Sequence, residues 1–275
     1  MVDRDVAVII GVGGIGLAIA RRVGSGRTVL LADFNEQTLR QAAEQLRGEG
    51  HDVRERTVDV SDAASVTSLA DDAAELGTVT HLAHTAGLSP VQATVPAILR
   101  VDLLGVALVL DEFAPVVAPG GAAVIIASMA AHLMGALPPE QEAALATTPS
   151  ERLLELPFLA SDRLTDPGAA YGIAKRANVL RVRAAANAWG LRHARINSIS
   201  PGVVSTPMGR QELAGESGAV IRGMIENSAT NRVGTPDDIA DAAEFLLGQR
   251  ATFITGADLL VDGGVVASIL RGPHG

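Results

Sequence analysis

The sequence lacks cysteine, contains few aromatic residues and carries no excess of basic charge. The absence of cysteine from all 275 residues excludes disulfides, thiolate metal ligands and a cysteine nucleophile, and it is compatible with the cytoplasmic location that we expect. Aromatic residues make up 3%, with one tyrosine and one tryptophan. The 22 basic and 31 acidic residues give a net charge of −9, which argues against binding to nucleic acid or to an anionic membrane surface.

No stretch of the sequence predicts a membrane span. Residues 76–99 and 113–139 are uncharged and long enough to cross a bilayer. Both contain glycine and proline, and a bilayer helix would leave the broken backbone without hydrogen-bond partners. Each stretch is better interpreted as a buried strand with the loop that follows it. The first residues lack the basic and long apolar regions of a signal peptide, so none is predicted.

Short apolar runs alternate with helix-length amphipathic segments along the chain. Such runs are typical of parallel strands that are buried on both faces. The predicted strands are residues 6–10, 28–32, 53–58, 79–83, 122–127, 195–199 and 258–261. The predicted helices are residues 14–23, 36–49, 63–75, 95–118, 169–189 and 236–247. This order predicts an α/β fold with one doubly wound, parallel, seven-stranded sheet of Rossmann type, in a single domain over residues 1–275.

Residues 134–167 interrupt this alternation. They contain five prolines and several short apolar clusters. We predict an excursion of loops and short helices outside the sheet, of the kind that shapes a binding site or an oligomer contact.

A glycine loop follows the first predicted strand and leads into the first predicted helix. Gly11, Gly13 and Gly16 form the pattern G-x-G-x-x-G, with Gly14 and Ile15 between them. In this context the glycines allow a tight turn and a close approach of the backbone to a pyrophosphate at the helix N-terminus. An ordinary strand-to-helix turn is the alternative.

Asp33 stands at the end of the second predicted strand. A carboxylate there can accept both ribose hydroxyls of an adenosine and repels a 2′-phosphate, so NAD is the predicted cofactor and NADP is less favoured. Three arginines nearby in sequence, Arg21, Arg22 and Arg27, weaken this preference. Alternatively, Asp33 only begins a turn with Phe34.

Tyr171 and Lys175 lie four residues apart in a predicted helix and therefore share one face. A nearby ammonium favours the phenolate, which predicts a tyrosine pKa lowered from about 10 towards neutrality. Such a phenol can exchange a proton with a substrate oxygen. An exposed helical pair is the alternative, but the glycine loop, Asp33 and Ser128 at the end of the fifth strand favour the catalytic interpretation.

In this order the motifs resemble the short-chain dehydrogenase/reductase family, in its compact single-domain branch. The resemblance covers the chain from about Val6 to Gly264 and implies an NAD-dependent oxidoreductase that interconverts a secondary alcohol and a ketone. The cofactor-binding positions that it implies are Gly11, Gly13, Gly14, Ile15, Gly16, Asp33, Phe34, Asp59, Val60, Thr85, Ala86, Gly87, Tyr171, Lys175, Pro201, Gly202, Val204 and Thr206.

The resemblance also implies a role for each catalytic side chain. Tyr171 acts as the general acid/base, and Lys175 lowers its pKa and holds the nicotinamide ribose. Ser128 hydrogen-bonds the substrate oxygen as the carbonyl becomes an alkoxide. The backbone around Val204 and the Thr206 hydroxyl orient the nicotinamide carboxamide.

The chain departs from the family pattern at four points. Its glycine loop is one residue shorter than usual. His84 and Thr85 replace two asparagines, and we favour a structural role for both over a catalytic His84. Asp102 stands where the family often has an asparagine that supports a water relay to the lysine, so it either joins that relay or only shapes its helix. The gap between Ser128 and Tyr171 is unusually long, as in some hydroxysteroid and carbonyl-reducing members.

The remaining expectations concern substrate, assembly and rival functions. The substrate is expected under residues 208–232 and 134–167, whose apolar composition favours a hydrophobic alcohol or ketone, and no metal site is predicted. Pairing through the helices predicted at residues 95–118 and 169–189 would give a homodimer or homotetramer. A catalytically inactive dinucleotide-binding sensor or scaffold is the alternative function, and a lyase or epimerase with tightly held NAD is less favoured.

Overall fold

Seven strands form one parallel sheet at the centre of the protein. In the computed structural model, which describes residues 4–91 and 93–271, the strands are β1 Asp5–Ile10, β2 Thr28–Asp33, β3 Asp52–Thr57, β4 Thr78–His84, β5 Ala122–Ile126, β6 Arg195–Pro201 and β7 Asp258–Val261. Their order across the sheet is β3-β2-β1-β4-β5-β6-β7, and all pairs are parallel. The order reverses between β1 and β4, the position at which open α/β sheets bind ligands beyond the carboxyl ends of their strands.

Helices cover both faces of the sheet, which confirms the predicted doubly wound Rossmann-type fold in a single domain. They are α1 Gly14–Val23, α2 Glu36–Gly48, α3 Ala63–Leu76, α4 Val95–Ile98, α5 Gly105–Phe113, α6 Ala130–Leu133, α7 Pro139–Thr147, α8 Pro167–Leu191, α9 Pro207–Ala214, α10 Gly218–Glu226, α11 Pro236–Leu247 and α12 Val265–Arg271. Apolar residues of α1, α2 and α11 pack on one face of the sheet, and those of α3, α5 and α8 pack on the other. Among the described residues, no helix is both long and apolar enough to cross a membrane.

Side-chain caps explain where several helices begin. Asn35, Asp62 and Asp166 each accept a hydrogen bond from a backbone N–H in the first turn of α2, α3 and α8. Thr235 and Asp238 form a reciprocal capping box at the start of α11. These side chains satisfy amide groups that have no partner inside a helix.

The helix predicted at residues 95–118 is wrong in two respects. A π-helical segment, Leu99–Leu104, separates α4 from α5, and α5 ends at Phe113. The early end fits Pro115, which has no backbone N–H to continue the hydrogen bonds of α5, although Ala114 before it keeps an α-helical conformation. The prediction that every strand is buried on both faces is also wrong. β3 lies at one edge of the sheet, and Arg54, Glu55 and Arg56 are exposed there.

The segment at residues 134–167 folds outside the sheet, as α7 and two 3₁₀ helices, Ser150–Glu155 and Pro157–Leu159. Two arginines of α8 hold it: Arg176 forms an ion pair with Glu142, and Arg181 donates to the backbone oxygens of Leu145 and Thr148. Its leucines pack against α4, α5, α8 and the π-helical segment in one apolar cluster. The segment therefore covers the helices through which pairing was expected.

Candidate active site

The glycine loop joins β1 to α1 at the reversal point of the sheet. A β-carbon on Gly16 would collide with the backbone oxygen of Gly11, so the turn can close only with glycine there. By contrast, a β-carbon on the exposed Gly13 would meet no protein atom within 4 Å. Gly13 is also the N-cap of α1, with no side-chain cap and no acidic residue in the first turn. The helix N-terminus is thus open to an anion, as a pyrophosphate requires.

Asp33 lies partly exposed where β2 ends. One carboxylate oxygen accepts a hydrogen bond from the backbone N–H of Val12 in the glycine loop, at 2.9 Å, and the other accepts from Asn35 N–H. Each oxygen has further acceptor capacity, so the carboxylate can still receive ribose hydroxyls. The neighbouring Phe34 is 72% exposed.

The ends of β5 and β6 hold Ser128 beside the cleft. The N–H groups of Ala127 and Met129 donate to the oxygens of Ile199 and Pro201 in β6, at 2.7 and 2.8 Å. The Ser128 hydroxyl accepts from the N–H of Ala130 at 3.2 Å and remains available as a donor. The backbone on both sides of the serine is therefore fixed by the sheet.

Tyr171 and Lys175 share one face of α8, as the spacing predicts. The Lys175 Nζ lies 5.4 Å from the centre of the Tyr171 ring and donates to the backbone oxygen of Ile126 at 3.4 Å. Lys175 is buried, whereas Tyr171 is partly exposed to the cleft. The structure thus brings Ser128, Tyr171 and Lys175 together.

Asp102 belongs to the same cluster. It lies in the π-helical segment, is fully buried, and its Oδ1 is 3.0 Å from the Lys175 Nζ. The carboxylate also accepts a hydrogen bond from the backbone N–H of Leu88. Asp102 therefore has a direct partner in the site and does more than shape its helix.

Burial sets the pKa of the phenol. Burial raises the pKa of Tyr171 above its usual value, and the negative charge of Asp102 adds to the rise. The ammonium of Lys175 and the Ser128 hydroxyl oppose it without reversing it. The lowered tyrosine pKa that the sequence suggested is therefore wrong in direction. The spacing of Tyr171 and Lys175 indicates the cation alone, whereas the fold adds desolvation and a second charge.

Burial would by itself lower the pKa of Lys175, but the charge and hydrogen bond of Asp102, together with the charge of Tyr171, outweigh this effect and the pKa is raised. The ammonium of Lys175 therefore keeps its positive charge beside Tyr171. His84 differs, because burial lowers its pKa to about 3, with the charge of Lys175 adding to the effect. A buried imidazole that stays neutral fits a structural role for His84.

The segment after β6 forms a further wall. The backbone of Val204 pairs with Gly234, and Thr206 caps α9 by accepting a hydrogen bond from the N–H of Gly209 at 3.0 Å. The Thr206 hydroxyl keeps its proton free for donation. Pro201, Gly202, Val204 and Thr206 all face the cleft.

These elements enclose a cleft of about 950 Å³. Most of the predicted site residues line it, namely Gly13, Gly14, Ile15, Gly16, Thr85, Gly87, Asp102, Ser128, Tyr171, Lys175, Pro201, Gly202, Val204 and Thr206. The others do not: Gly11, Asp33, Phe34, Asp59, Val60 and Ala86. Gly11 and Ala86 pack against each other under the loop, and the remaining four lie at or just after the ends of β2 and β3.

Two groups that face this cleft or the Asp102–Lys175 pair are not indicated by the sequence. Glu212, in α9, lines the cleft, and its carboxylate accepts a hydrogen bond from the buried Ser89 hydroxyl at 2.6 Å. The N–H of Leu88 holds Asp102. Neither group stands in a recognisable pattern, because each depends on segments more than ten positions apart.

The glycine loop lies at the reversal point of a Rossmann-type sheet, and the cluster of Ser128, Tyr171 and Lys175 lies beside it. This architecture is typical of a dinucleotide-dependent oxidoreductase. Two family models match consecutive parts of the chain. One is described as short chain dehydrogenase and matches residues 5–139, and the other is described as enoyl-(acyl carrier protein) reductase and matches residues 140–266.

Individual relatives agree with the family models. The chain is 40% identical to the short-chain dehydrogenase/reductase bsc3 of Alternaria brassicicola, over 98% of both chains. It is 32% identical to the D-threitol dehydrogenase of Mycolicibacterium smegmatis, over 95% of this chain and 93% of the relative. A solved short-chain type dehydrogenase/reductase from Mycobacterium ulcerans has the same fold, with a TM-score of 0.77 at 23% identity over 97% of this chain and 90% of that one.

The chain therefore belongs to the short-chain dehydrogenase/reductase family. It is an oxidoreductase of a fold that binds a nicotinamide dinucleotide. The open N-terminus of α1 and the space above Gly13 fit the pyrophosphate of such a molecule.

Proposed function

We propose that this protein is an NAD-dependent oxidoreductase that interconverts a secondary alcohol and a ketone. The observation that carries the proposal is the convergence of Ser128, Tyr171 and the Lys175–Asp102 pair in one cleft, next to an open glycine loop. An inactive sensor of the same fold would not need this arrangement of proton-transferring groups.

Four side chains have separate roles in the proposed reaction. When bound, the nicotinamide ring accepts or supplies the hydride at the substrate carbon. The Tyr171 hydroxyl gives its proton to the carbonyl oxygen during reduction, and the phenolate takes it back during oxidation. The Ser128 hydroxyl donates a hydrogen bond to the same oxygen while it carries negative charge. Lys175 stabilises the phenolate, and Asp102 keeps the lysine charged and in place.

The cofactor-binding residues would hold the dinucleotide along the carboxyl edge of the sheet. The free N–H groups at the start of α1 would bind the pyrophosphate. Asp33 would accept the adenosine ribose hydroxyls, with Phe34, Asp59 and Val60 near the adenine. The Thr206 hydroxyl and the backbone at Val204 would bind the nicotinamide carboxamide.

The preference for NAD rests on Asp33 and on the position of the nearby arginines. The three arginines that could have received a 2′-phosphate lie at or beyond the last turn of α1. They are therefore near the amino ends of the strands, whereas Asp33 lies at the carboxyl end of β2. Each is engaged elsewhere, through the pairs Arg21–Glu49, Arg22–Asp241 and Arg27–Val23. We expect Asp33→Asn, which keeps the size of the side chain, to lower the ratio of kcat/KM for NAD over NADP about tenfold.

The deciding experiment is a spectrophotometric screen of secondary alcohols with NAD and ketones with NADH, repeated with NADP and NADPH. The proposal expects turnover of at least one alcohol–ketone pair, faster with NAD. A protein that binds NADH but turns over no member would support the inactive alternative instead. Preferred turnover with NADP would contradict the cofactor assignment alone.

We also propose a cytoplasmic, oligomeric enzyme, in line with the resemblance. The helices expected to pair have no free apolar face, because residues 134–167 pack on them. A homodimer or homotetramer would therefore use another surface, such as the edge formed by β7 and α12, where Leu259, Ile269 and Leu270 are exposed. Light scattering coupled to size-exclusion chromatography tests the assembly, and a monomer at micromolar concentration would contradict it.

A further inference from the structure

In the part of the chain that the structure describes, one charged group in the cleft has no partner of opposite charge. Of the described residues that line the cleft, three carry charge: Asp102, Lys175 and Glu212. Asp102 and Lys175 neutralise each other at 3.0 Å. No basic side chain in residues 4–91 or 93–271 lies within 4 Å of Glu212. The cleft therefore has one uncompensated negative charge, and it belongs to α9.

The fold holds this carboxylate in a defined place. The Oε1 of Glu212 accepts a hydrogen bond from the hydroxyl of Ser89, which is fully buried in the loop after β4. The structure shows no donor to the second oxygen, Oε2, among the described residues. A carboxylate has about four acceptor positions, so the fixed Glu212 can take hydrogen bonds from a ligand.

The surroundings make that charge effective. Leu88, Leu133, Met134, Ile173, Met208 and Ile221 line the same cleft with apolar groups. In apolar surroundings a charge acts more strongly than in water. The charge of Glu212 also acts at the reaction centre, where it adds a small contribution to the raised pKa of Tyr171, after burial and the charge of Asp102.

We infer that Glu212 determines substrate class. The preferred substrate is a secondary alcohol, or its ketone, that carries a second hydroxyl group on an otherwise apolar frame, and that hydroxyl donates to the Glu212 carboxylate. Substrates with a carboxylate at the same position are rejected, because two negative charges would meet in the apolar cleft. This inference rests on the proposed function and adds to it the chemistry of the substrate end remote from the reacting carbon.

Matched substrates test the inference directly. At two chain lengths, a plain alcohol, a diol and a hydroxy acid differ only at the far end: 2-butanol, 1,3-butanediol and 3-hydroxybutanoate, and 2-hexanol, 1,5-hexanediol and 5-hydroxyhexanoate. We expect kcat/KM of the wild-type protein to fall in the order diol, alcohol, hydroxy acid. In Glu212→Gln, the diol-to-alcohol ratio falls about tenfold and the acid-to-alcohol ratio rises about tenfold, since the charge-assisted hydrogen bond to the diol and the repulsion of the acid are both lost.

Ser89→Ala is the matched control. It removes the hydrogen bond between Ser89 and Glu212 but keeps the charge of Glu212, whereas Glu212→Gln keeps an acceptor for Ser89 and removes the charge, so rejection of the hydroxy acid persists in Ser89→Ala. The pH profile gives a second readout: without the Glu212 charge the pKa of Tyr171 falls, and the acid limb of alcohol oxidation moves to lower pH in Glu212→Gln but not in Ser89→Ala. Thermal unfolding confirms that both variants are folded.

The possible outcomes separate the two proposals. If Glu212→Gln leaves both substrate ratios unchanged, or if Ser89→Ala changes them equally, the carboxylate is only a tie between α9 and the loop, and the inference is wrong. If the wild-type protein oxidises the plain alcohols but Glu212→Gln leaves the substrate ratios unchanged, the proposed function stands and the inference about Glu212 does not. Wild-type protein that oxidises no alcohol of either series contradicts the inference, and the proposed function fails with it only if the full screen of alcohols and ketones also shows no turnover.

Discussion

The cleft has two sides, the floor and the cover, that are built differently. The floor consists of Ser128, Tyr171, Lys175 and Asp102, held between β5, β6, α8 and the π-helical segment, and its two charged groups are buried and paired. The cover, residues 207–226, comprises the short helices α9 and α10, which are largely exposed on their outer side. A few hydrogen bonds, such as that between Glu212 and Ser89, hold it in place.

This difference separates chemistry from selection. The floor satisfies its own charges within the protein, so its geometry does not depend on which substrate arrives. The side of the cover that lines the cleft offers apolar groups and the Glu212 carboxylate, which has no basic partner among the described residues, so its interactions are completed only by a ligand. Substitutions in the floor should therefore alter rate and stability, whereas those in the cover should alter preference.

The largest expected effect is in the floor. Tyr171→Phe removes the only phenol in the chain, and we expect kcat to fall by about 10³-fold while NADH still binds, because general acid/base catalysis contributes on the order of 10²–10⁴. Steady-state kinetics and calorimetric titration with NADH measure the two properties. Wild-type turnover by the variant would contradict the catalytic role.

The next largest effect concerns the buried ion pair of Asp102 and Lys175. Asp102→Ala leaves the Lys175 ammonium buried without a partner, so we expect a loss of about 3–5 kcal/mol in the free energy of unfolding. Asp102→Asn, which keeps an acceptor for the Leu88 N–H, should lose less. Urea unfolding followed by the fluorescence of the single, buried Trp189 measures both. Equal stability of Asp102→Ala and the wild type would show that the floor does not depend on this pair.

A third prediction concerns the proton itself. Because the chain has one tyrosine, absorbance at 295 nm reports its ionisation without background from other tyrosines. We expect a midpoint above 10 in the ligand-free protein, since burial raises the pKa of Tyr171. Oxidation needs the phenolate, so kcat/KM for the alcohol should rise about tenfold per pH unit below that pKa, and reduction should not. A midpoint below 9 would show that the cation of Lys175 dominates.

The smallest effect is expected in the cover. Ile221→Ala removes part of a half-buried side chain that lines the cleft. We expect KM for an apolar ketone to rise about fivefold, with a change of less than about 1 kcal/mol in the free energy of unfolding. Ketone kinetics and urea unfolding provide both values. A larger loss of stability than in Asp102→Ala would reverse the comparison between floor and cover.

Much of the fold could be predicted from local patterns. Strand and helix positions follow from runs of apolar residues, from caps such as Thr235 and from the glycine loop, all of which act within a few residues. The predictions failed where distant segments decide the outcome. The edge position of β3 depends on strand order, and the break between α4 and α5 involves a π-helical turn that brings Asp102 to Lys175.

The candidate site shows the same division. The sequence indicated the proton donor, because one tyrosine stands four residues before a lysine, and it indicated the glycine loop, because the spacing is local. The tertiary structure alone decided the raised pKa of Tyr171, the partner of Lys175 and the presence of Glu212 in the cleft. The physical reason is that residue type and spacing specify which groups are available, whereas desolvation and charge pairing depend on segments that only folding brings together.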